Sequence, residues 1–193
     1  MNIPTPTEDT MARLRASLAE RAAAEGLLDV AYATVDSPLG TLTIAATPSG
    51  VVRIAFDNER QDDVLAELAA KVSPRVLSAP ARLDEARREL DEYFQGSRTA
   101  FDLPLDWSLS TGFRRAVLNA TQRIPYAATS TYGIVAIAAG SPKAFRAAGT
   151  ALATNPIPIV VPCHRVLPAS GVLGQYRGGA PRKEQLLRLE GAR

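Results

Sequence analysis

Thr131-Tyr-Gly-Ile-Val-Ala-Ile-Ala-Ala-Gly-Ser-Pro-Lys-Ala-Phe-Arg-Ala-Ala-Gly-Thr-Ala-Leu-Ala153 is the stretch whose reading decides how this chain folds. Thr131–Ala139 reads as a short apolar helix ended by Gly140. Ser141 then offers an N-cap hydroxyl and Pro142 a preset φ at the first helical position, so a second helix is expected over 141–153. Two helices across a Gly-Ser-Pro turn have the outline of a helix-turn-helix, an outline shared by many plain helical hairpins. The second helix carries Lys143 and Arg146, and its face of Ala147, Ala148 and Gly149 is nearly bare. It lacks the Asn, Gln and Ser that read base edges in a major groove. A small-residue face with one long cation suits insertion into a minor groove. It equally suits packing on a neighbouring helix, with Arg146 in a salt bridge.

Directly downstream lies Asn155-Pro-Ile-Pro-Ile-Val-Val-Pro-Cys-His-Arg165, which holds the only cysteine and the only histidine of the chain. A thiol is a nucleophile as the thiolate, and an adjacent imidazole and arginine form an electropositive setting expected to favour it. Counting alone would make Cys163 a small buried hydrophobe; its surroundings argue for a reactive group. One cysteine cannot form an internal disulfide, and one Cys with one His cannot make a usual structural zinc site. No metal and no cofactor are therefore expected.

Working outward toward the N-terminus, residues 8–25 read as a surface helix, with Met11, Leu14, Leu18 and Ala22 at spacings of three and four. From Asp29 the period becomes two. Val30–Val35, Thr41–Ala46 and Val51–Phe56 are expected strands, and Ser37-Pro-Leu-Gly40 and Thr47-Pro-Ser-Gly50 the turns that pair them antiparallel. Helical patterns follow at 60–71 and 81–95, then at 112–122 and 181–190. The expected class is α+β: an N-terminal domain with a small antiparallel sheet, then a mostly helical C-terminal domain with a winged or helix-turn-helix element. The boundaries drawn are an arm over 1–27, the first domain over 28–99, a linker over 100–110, and the second domain over 111–193. Trp107, in the linker, reads as a packing anchor between domains.

The net charge of +2 conceals an asymmetry. Residues 1–110 carry a balance of −7, whereas 111–193 carry +9, with Glu184 and Glu190 as their only acids. A basic half holding the reactive motif points to a polyanionic partner, nucleic acid first. There is no run of about 18 apolar residues, so no membrane span is expected. The acidic start, without an apolar h-region, is not a signal peptide. A cytoplasmic location is the expectation.

These residues together resemble the O6-alkylguanine-DNA alkyltransferases, the methylated-DNA–protein-cysteine methyltransferases. The likeness runs from about Val30 to Gly191. Its most specific part is Pro162-Cys-His-Arg-Val166 after Asn155-Pro-Ile-Pro-Ile. Tyr132-Gly133…Ala136, Arg146-Ala-Ala-Gly149 and Gly174-Gln-Tyr176-Arg-Gly-Gly179…Lys183…Leu186-Leu187…Glu190 resemble further family blocks in the right order. The resemblance implies irreversible transfer of an alkyl group from guanine O6 to Cys163, one repair per molecule. His164 is then the proton acceptor, acting through a water, with Glu190 behind it and Asn155 as a hinge. Arg146 is implied to fill the gap left by an extruded guanine, a step needed because the target atom faces the partner base. Tyr132, Val166, Tyr176, Arg177, Gly178 and Lys183 would surround the flipped base. The implied partner is double-stranded DNA carrying O6-alkylguanine, held by its minor groove, with self-association on DNA left open.

The chain departs from the family pattern at Ala148, where valine is usual. It also departs at Ser110–Arg114, at Ala127 in place of a glycine, and at Arg177, where a small residue is common and an arginine could narrow the pocket. Two other readings stay open: a lesion sensor that binds without repairing, against which Cys163 argues, and a helix-turn-helix regulator.

Overall fold

A computed structural model describes residues 7–193; residues 1–6, the start of the arm expected over 1–27, lie outside the described residues. Helix α1 (Glu8–Ala24) begins at Thr7, whose side chain accepts from the Thr10 amide, an N-cap bond. It docks through Ala19 against Ala31 and Ala79, with Ala22 also buried, while Leu14 and Leu18 stay exposed. The leucine row expected to define its face is thus turned outward. Alanines let the helix lie closer to the sheet than leucines would.

The alternating segments form β1 (Val30–Val35), β2 (Leu42–Thr47) and β3 (Gly50–Phe56), joined by tight turns and paired antiparallel. After α2 (Gln61–Lys71), a fourth strand, β4 (Val76–Ser78), joins β1 in parallel, giving the order β3-β2-β1-β4. The sheet is therefore mixed rather than wholly antiparallel. Three residues are too short to show a period of two, and the parallel step depends on the α2 crossover. The helical pattern at 81–95 resolves into a 3₁₀ turn at Pro80–Leu83 and α3 (Asp84–Phe94).

All of β3 is buried, because its outer side is covered by distant segments. Val51 exchanges backbone bonds with residues of the 100–110 segment: its N–H reaches Pro104 O at 2.9 Å and its carbonyl accepts from Asp106 N at 2.9 Å. Farther along, Ile54 N–H donates to Pro156 O at 2.8 Å. Trp107 packs on the principal core with the Arg115 guanidinium 6.0 Å from its ring centroid. That core runs without a break from Ile44, Ile54 and Leu90 to Val117, Ile157, Val161 and Leu186.

The C-terminal half is helical: α4 (Gly112–Gln122), α5 (Tyr132–Ala138), α6 (Phe145–Ala153) and α7 (Ala180–Leu189). Between α4 and α5, β5 (Ser130–Thr131) pairs in parallel with β6 (Val166–Leu167). Thr131 caps α5, and Gly140 ends it at φ +80 with the Ser141 amide bonded back to Ala136 O, a Schellman closure. Helix α6 starts at Phe145, later than the 141–153 expected, and Ser141 is not its cap. Ser141 is instead the first residue of a turn closed by Ala144 N–H on its carbonyl, with Pro142 at the second turn position that favours it. Among the described residues no helix is long and apolar enough to cross a membrane, and no group of three His, Cys, Asp or Glu could hold a metal ion.

Candidate active site

Cys163, His164 and Arg165 form a single 3₁₀ turn between Pro162 and β6, and all three side chains are buried. The chain reaches this turn through Ile159, whose φ of +76 lies in the left-handed region that β-branched residues avoid. A Val161 N–H bond to Ile157 O at 2.9 Å holds the bend. That bend brings Cys163 back onto Asn155, just beyond the C-cap of α6. The buried Asn155 amide donates to Val161 O at 2.9 Å and to Cys163 Sγ at 3.1 Å, while its carbonyl oxygen accepts from Ile157 N at 3.0 Å.

Glu190, at the C-cap of α7, faces the same turn. His164 Nε2 lies 2.8 Å from its Oε1, and Arg165 grips both oxygens at 2.9 Å through Nε and Nη2. Tyr93 of α3 donates its hydroxyl to Oε1 at 2.6 Å. Burial alone would raise the Glu190 pKa, but the bonds from His164, Arg165 and Tyr93 outweigh it and hold the carboxyl at about 2. An ionised Glu190 fixes the proton of a neutral imidazole on Nε2, leaving Nδ1 as the basic nitrogen. Nδ1 is buried and has no hydrogen-bond partner.

The thiol is not a resting thiolate. Burial pushes Cys163 up to about 11, against the smaller downward pull of the Asn155 bond and of Lys183. Burial likewise lowers His164, against the upward pull of Glu190. The site therefore rests as a neutral thiol beside a neutral base, and the electropositive setting read from the sequence is overridden by desolvation.

The expected pocket residues lie around this centre, with one exception. Lys183 is buried, donating to Val166 O at 2.7 Å, rather than a solvated helix cation. Tyr176 is buried edge-on to His164 with its hydroxyl unpartnered. Burial raises both Tyr132 and Tyr176, and each lies near enough to Cys163 to feel its charge. Backbone closeness is built in: a Cβ on Gly174 would stand 2.5 Å from the Tyr132 hydroxyl, and one on Gly178 2.9 Å from the Phe56 ring. Arg177 is the exception. Its side chain pairs with Glu59, with Nε at 2.9 Å and Nη2 at 2.7 Å from Oε2, although its charge still adds a minor downward pull on the Cys163 pKa. Glu59 also pairs with the buried Arg53 at 2.5 Å, and Arg53 in turn donates to Pro156 O at 3.4 Å.

On α6, Lys143 just before it, Arg146 and Ala147 are exposed, and Arg146 rests 5.7 Å from the Phe145 ring centroid with no ion pair among the described residues. The bare face is otherwise divided. Ala148 is fully buried in the core and cannot be a DNA contact, because position 148 shares its side of the helix with Ala151 and Leu152. Gly149 packs toward the Tyr132 ring.

Sequence reasoning missed two partners of Glu190. Arg165 was legible only as a positive charge beside the thiol. Tyr93 occupies the buried row of α3 with Ala86 and Leu90, which reads as core filling. Nothing local signals that its hydroxyl meets a carboxylate 97 residues away.

Both halves of the chain match family models: residues 30–107 that of the 6-O-methylguanine DNA methyltransferase ribonuclease-like domain, and residues 112–192 that of the DNA-binding domain of the same family. The chain is 41% identical over 161 residues to a methylated-DNA–protein-cysteine methyltransferase of Mycolicibacterium paratuberculosis, covering 83% of this chain and 92% of the relative. A protein of the same name from Methanosarcina acetivorans is 38% identical over 161 residues, with 83% and 98% covered. Among solved structures, OGT of Mycobacterium tuberculosis in complex with DNA superposes with a TM-score of 0.72 at 38% identity, over 84% of this chain and 93% of that one.

Proposed function

The chain belongs to the 6-O-methylguanine DNA methyltransferase family, and on that premise we propose that Cys163 is its alkyl acceptor, armed by His164, Glu190 and Asn155. The protein is a single-turnover DNA repair methyltransferase that takes alkyl groups from O6-alkylguanine in DNA onto its own cysteine.

The observation that carries the residue assignment is the pairing of a neutral buried thiol with an imidazole whose Nε2 is locked on Glu190 and whose Nδ1 is open. The thiol proton passes to Nδ1, through a bridging water as in the family resemblance, as sulfur attacks the alkyl carbon in line. The S–C bond forms, the C–O6 bond breaks, and its electron pair leaves with the purine. Tyr132 donates the proton that the purine needs and recovers one from solvent afterwards. The Asn155 amide, already on sulfur, stabilises the negative charge that develops there. Glu190 stays ionised and stabilises the imidazolium. The thioether has no comparable leaving group, so the transfer does not reverse.

Helix α6 supports minor-groove binding with Lys143, Arg146 and Ala147 outward. Arg146, free of ion pairs among the described residues, can enter the stack in place of the extruded base.

The test is incubation with a duplex carrying O6-methylguanine, followed by intact and peptide mass measurement. One methyl group on Cys163, stoichiometric and without turnover, is expected. Lesion binding with no adduct would overturn the assignment.

A further inference from the structure

We propose that Tyr93, on a helix of the N-terminal half, is a positioning residue of the proton relay: through Glu190 it sets how strongly His164 holds its proton. This rests on the reading above in which His164 accepts the thiol proton. It gives the N-terminal half a part in the chemistry.

The geometry is specific. Tyr93 is fully buried, and its hydroxyl ends on the same oxygen of Glu190 that holds His164 Nε2, at 2.6 Å against 2.8 Å. Arg165 Nη2 reaches that oxygen too, at 2.9 Å, while Arg165 Nε takes Oε2. A carboxylate oxygen offers about two lone-pair sites, so three donors crowd Oε1 while Oε2 takes one. A proton arriving on the imidazole faces an oxygen already crowded with donors and stays on the ring, from which it can be passed on. The shared oxygen matters more than the count. A donor on Oε2 would steady the carboxylate, but a donor on Oε1 competes for the electron density that draws the imidazolium. The Tyr93 hydroxyl therefore weakens the attraction of Glu190 for a protonated His164 more than its hold on the neutral tautomer.

The ring cannot easily withdraw. Its centroid lies 5.5 Å from Phe94, 5.2 Å from Phe101 and 6.3 Å from Tyr126, and Tyr126 also stacks under the Arg165 guanidinium at 5.8 Å. One aromatic cluster thus aims two of the donors. The charged and titratable groups around His164 are Glu190 and Lys183 from the α7 end, Arg165 and Cys163 from its own turn, and Tyr176 from the preceding loop. Of the elements of the N-terminal half, α3 supplies a hydroxyl to this carboxylate.

The test exploits the fact that His164 is the only histidine. Full-length protein labelled with isotopic histidine gives one imidazole signal, so its titration and tautomer can be followed directly by NMR, beside the single-turnover rate on O6-methylguanine duplex. In Tyr93→Phe the packing is kept and the donor removed. The His164 pKa should rise by roughly half a unit or more, since Oε1 then has one donor fewer competing with the imidazolium. The acid limb of the rate profile should move up with it, so transfer on that limb should slow by roughly threefold while the rate above it changes little. Val64→Ala, in the separate small core between α2 and the sheet, serves as the control; it should lower stability and leave the His164 titration in place. Unchanged titration and acid-limb rate in Tyr93→Phe, or an equal shift in Val64→Ala, would overturn the proposal. Failure of the wild-type protein to take up a methyl group would instead overturn the reading on which it rests.

Discussion

One side-chain amide ties Asn155 to Cys163: its Nδ2 is shared between the sulfur at 3.1 Å and Val161 O at 2.9 Å, across the strained bend at Ile159. The residue just beyond the C-cap of α6 therefore also sets where the nucleophile stands. In Asn155→Ala, Val161 O and Ile157 N lose buried partners, which should cost about 2–4 kcal/mol of stability. Transfer should fall by more than tenfold at a temperature where the variant is still folded. Thermal unfolding and the single-turnover rate check this together; a stable variant with full activity would contradict it.

Because burial holds the Cys163 thiol at about 11, the resting protein should alkylate slowly with a small neutral reagent at pH 7. The labelling rate should still be climbing at pH 9.5. Intact mass against time gives the profile, and a plateau near pH 8 would mean a thiolate poised in advance.

Glu190 is held at about 2 in the folded protein, against an ordinary glutamate value near 4.3 in the unfolded chain. Its folded value is depressed, so its contribution is full above roughly pH 4.5 and is lost as pH falls toward 2. The difference is worth about 3 kcal/mol. Denaturant unfolding at stepped pH should show Glu190→Gln less stable near neutrality and flatter than wild type across that window. Parallel slopes would remove Glu190 as the cause.

Arg177 is held in an ion pair with Glu59. Replacing it, as in Arg177→Ser, should leave the ratio of benzyl to methyl transfer within about twofold of wild type. Both groups of the pair are partly exposed, so the loss in stability should be no more than about 1 kcal/mol. Competition between the two lesion duplexes measures the ratio, and a strong gain for the larger group would place the side chain back at the base.

What the sequence made legible was what lies close together along it. The Cys163-His164 pair, the Asn155-Pro156 turn before it and the period-two strands are local patterns, and the structure places each where the pattern implies. What it concealed was of two kinds. Small residues carry no directional signal, so Ala148 looked available to DNA although the core claims it, and the dock of α1 fell to alanines instead of its leucines. Long-range polar partners are equally silent. Arg177 has no local cue that Glu59 will meet it, and the thiol pKa depends on burial that no motif states. The strand Val76–Ser78 was missed because its length is below any period.

The pairing along the outer side of β3 has a consequence for the population of spent molecules. A protein used once leaves behind one inert copy for every lesion removed. A sheet with a bare edge offers those copies a template for strand addition and aggregation. Here Val51 is engaged by the 100–110 segment and Ile54 by Pro156, so the long edge is capped from within, and β4 at the other side is only three residues. As long as that capping survives alkylation, used protein should not add strands edge to edge or seed fibres.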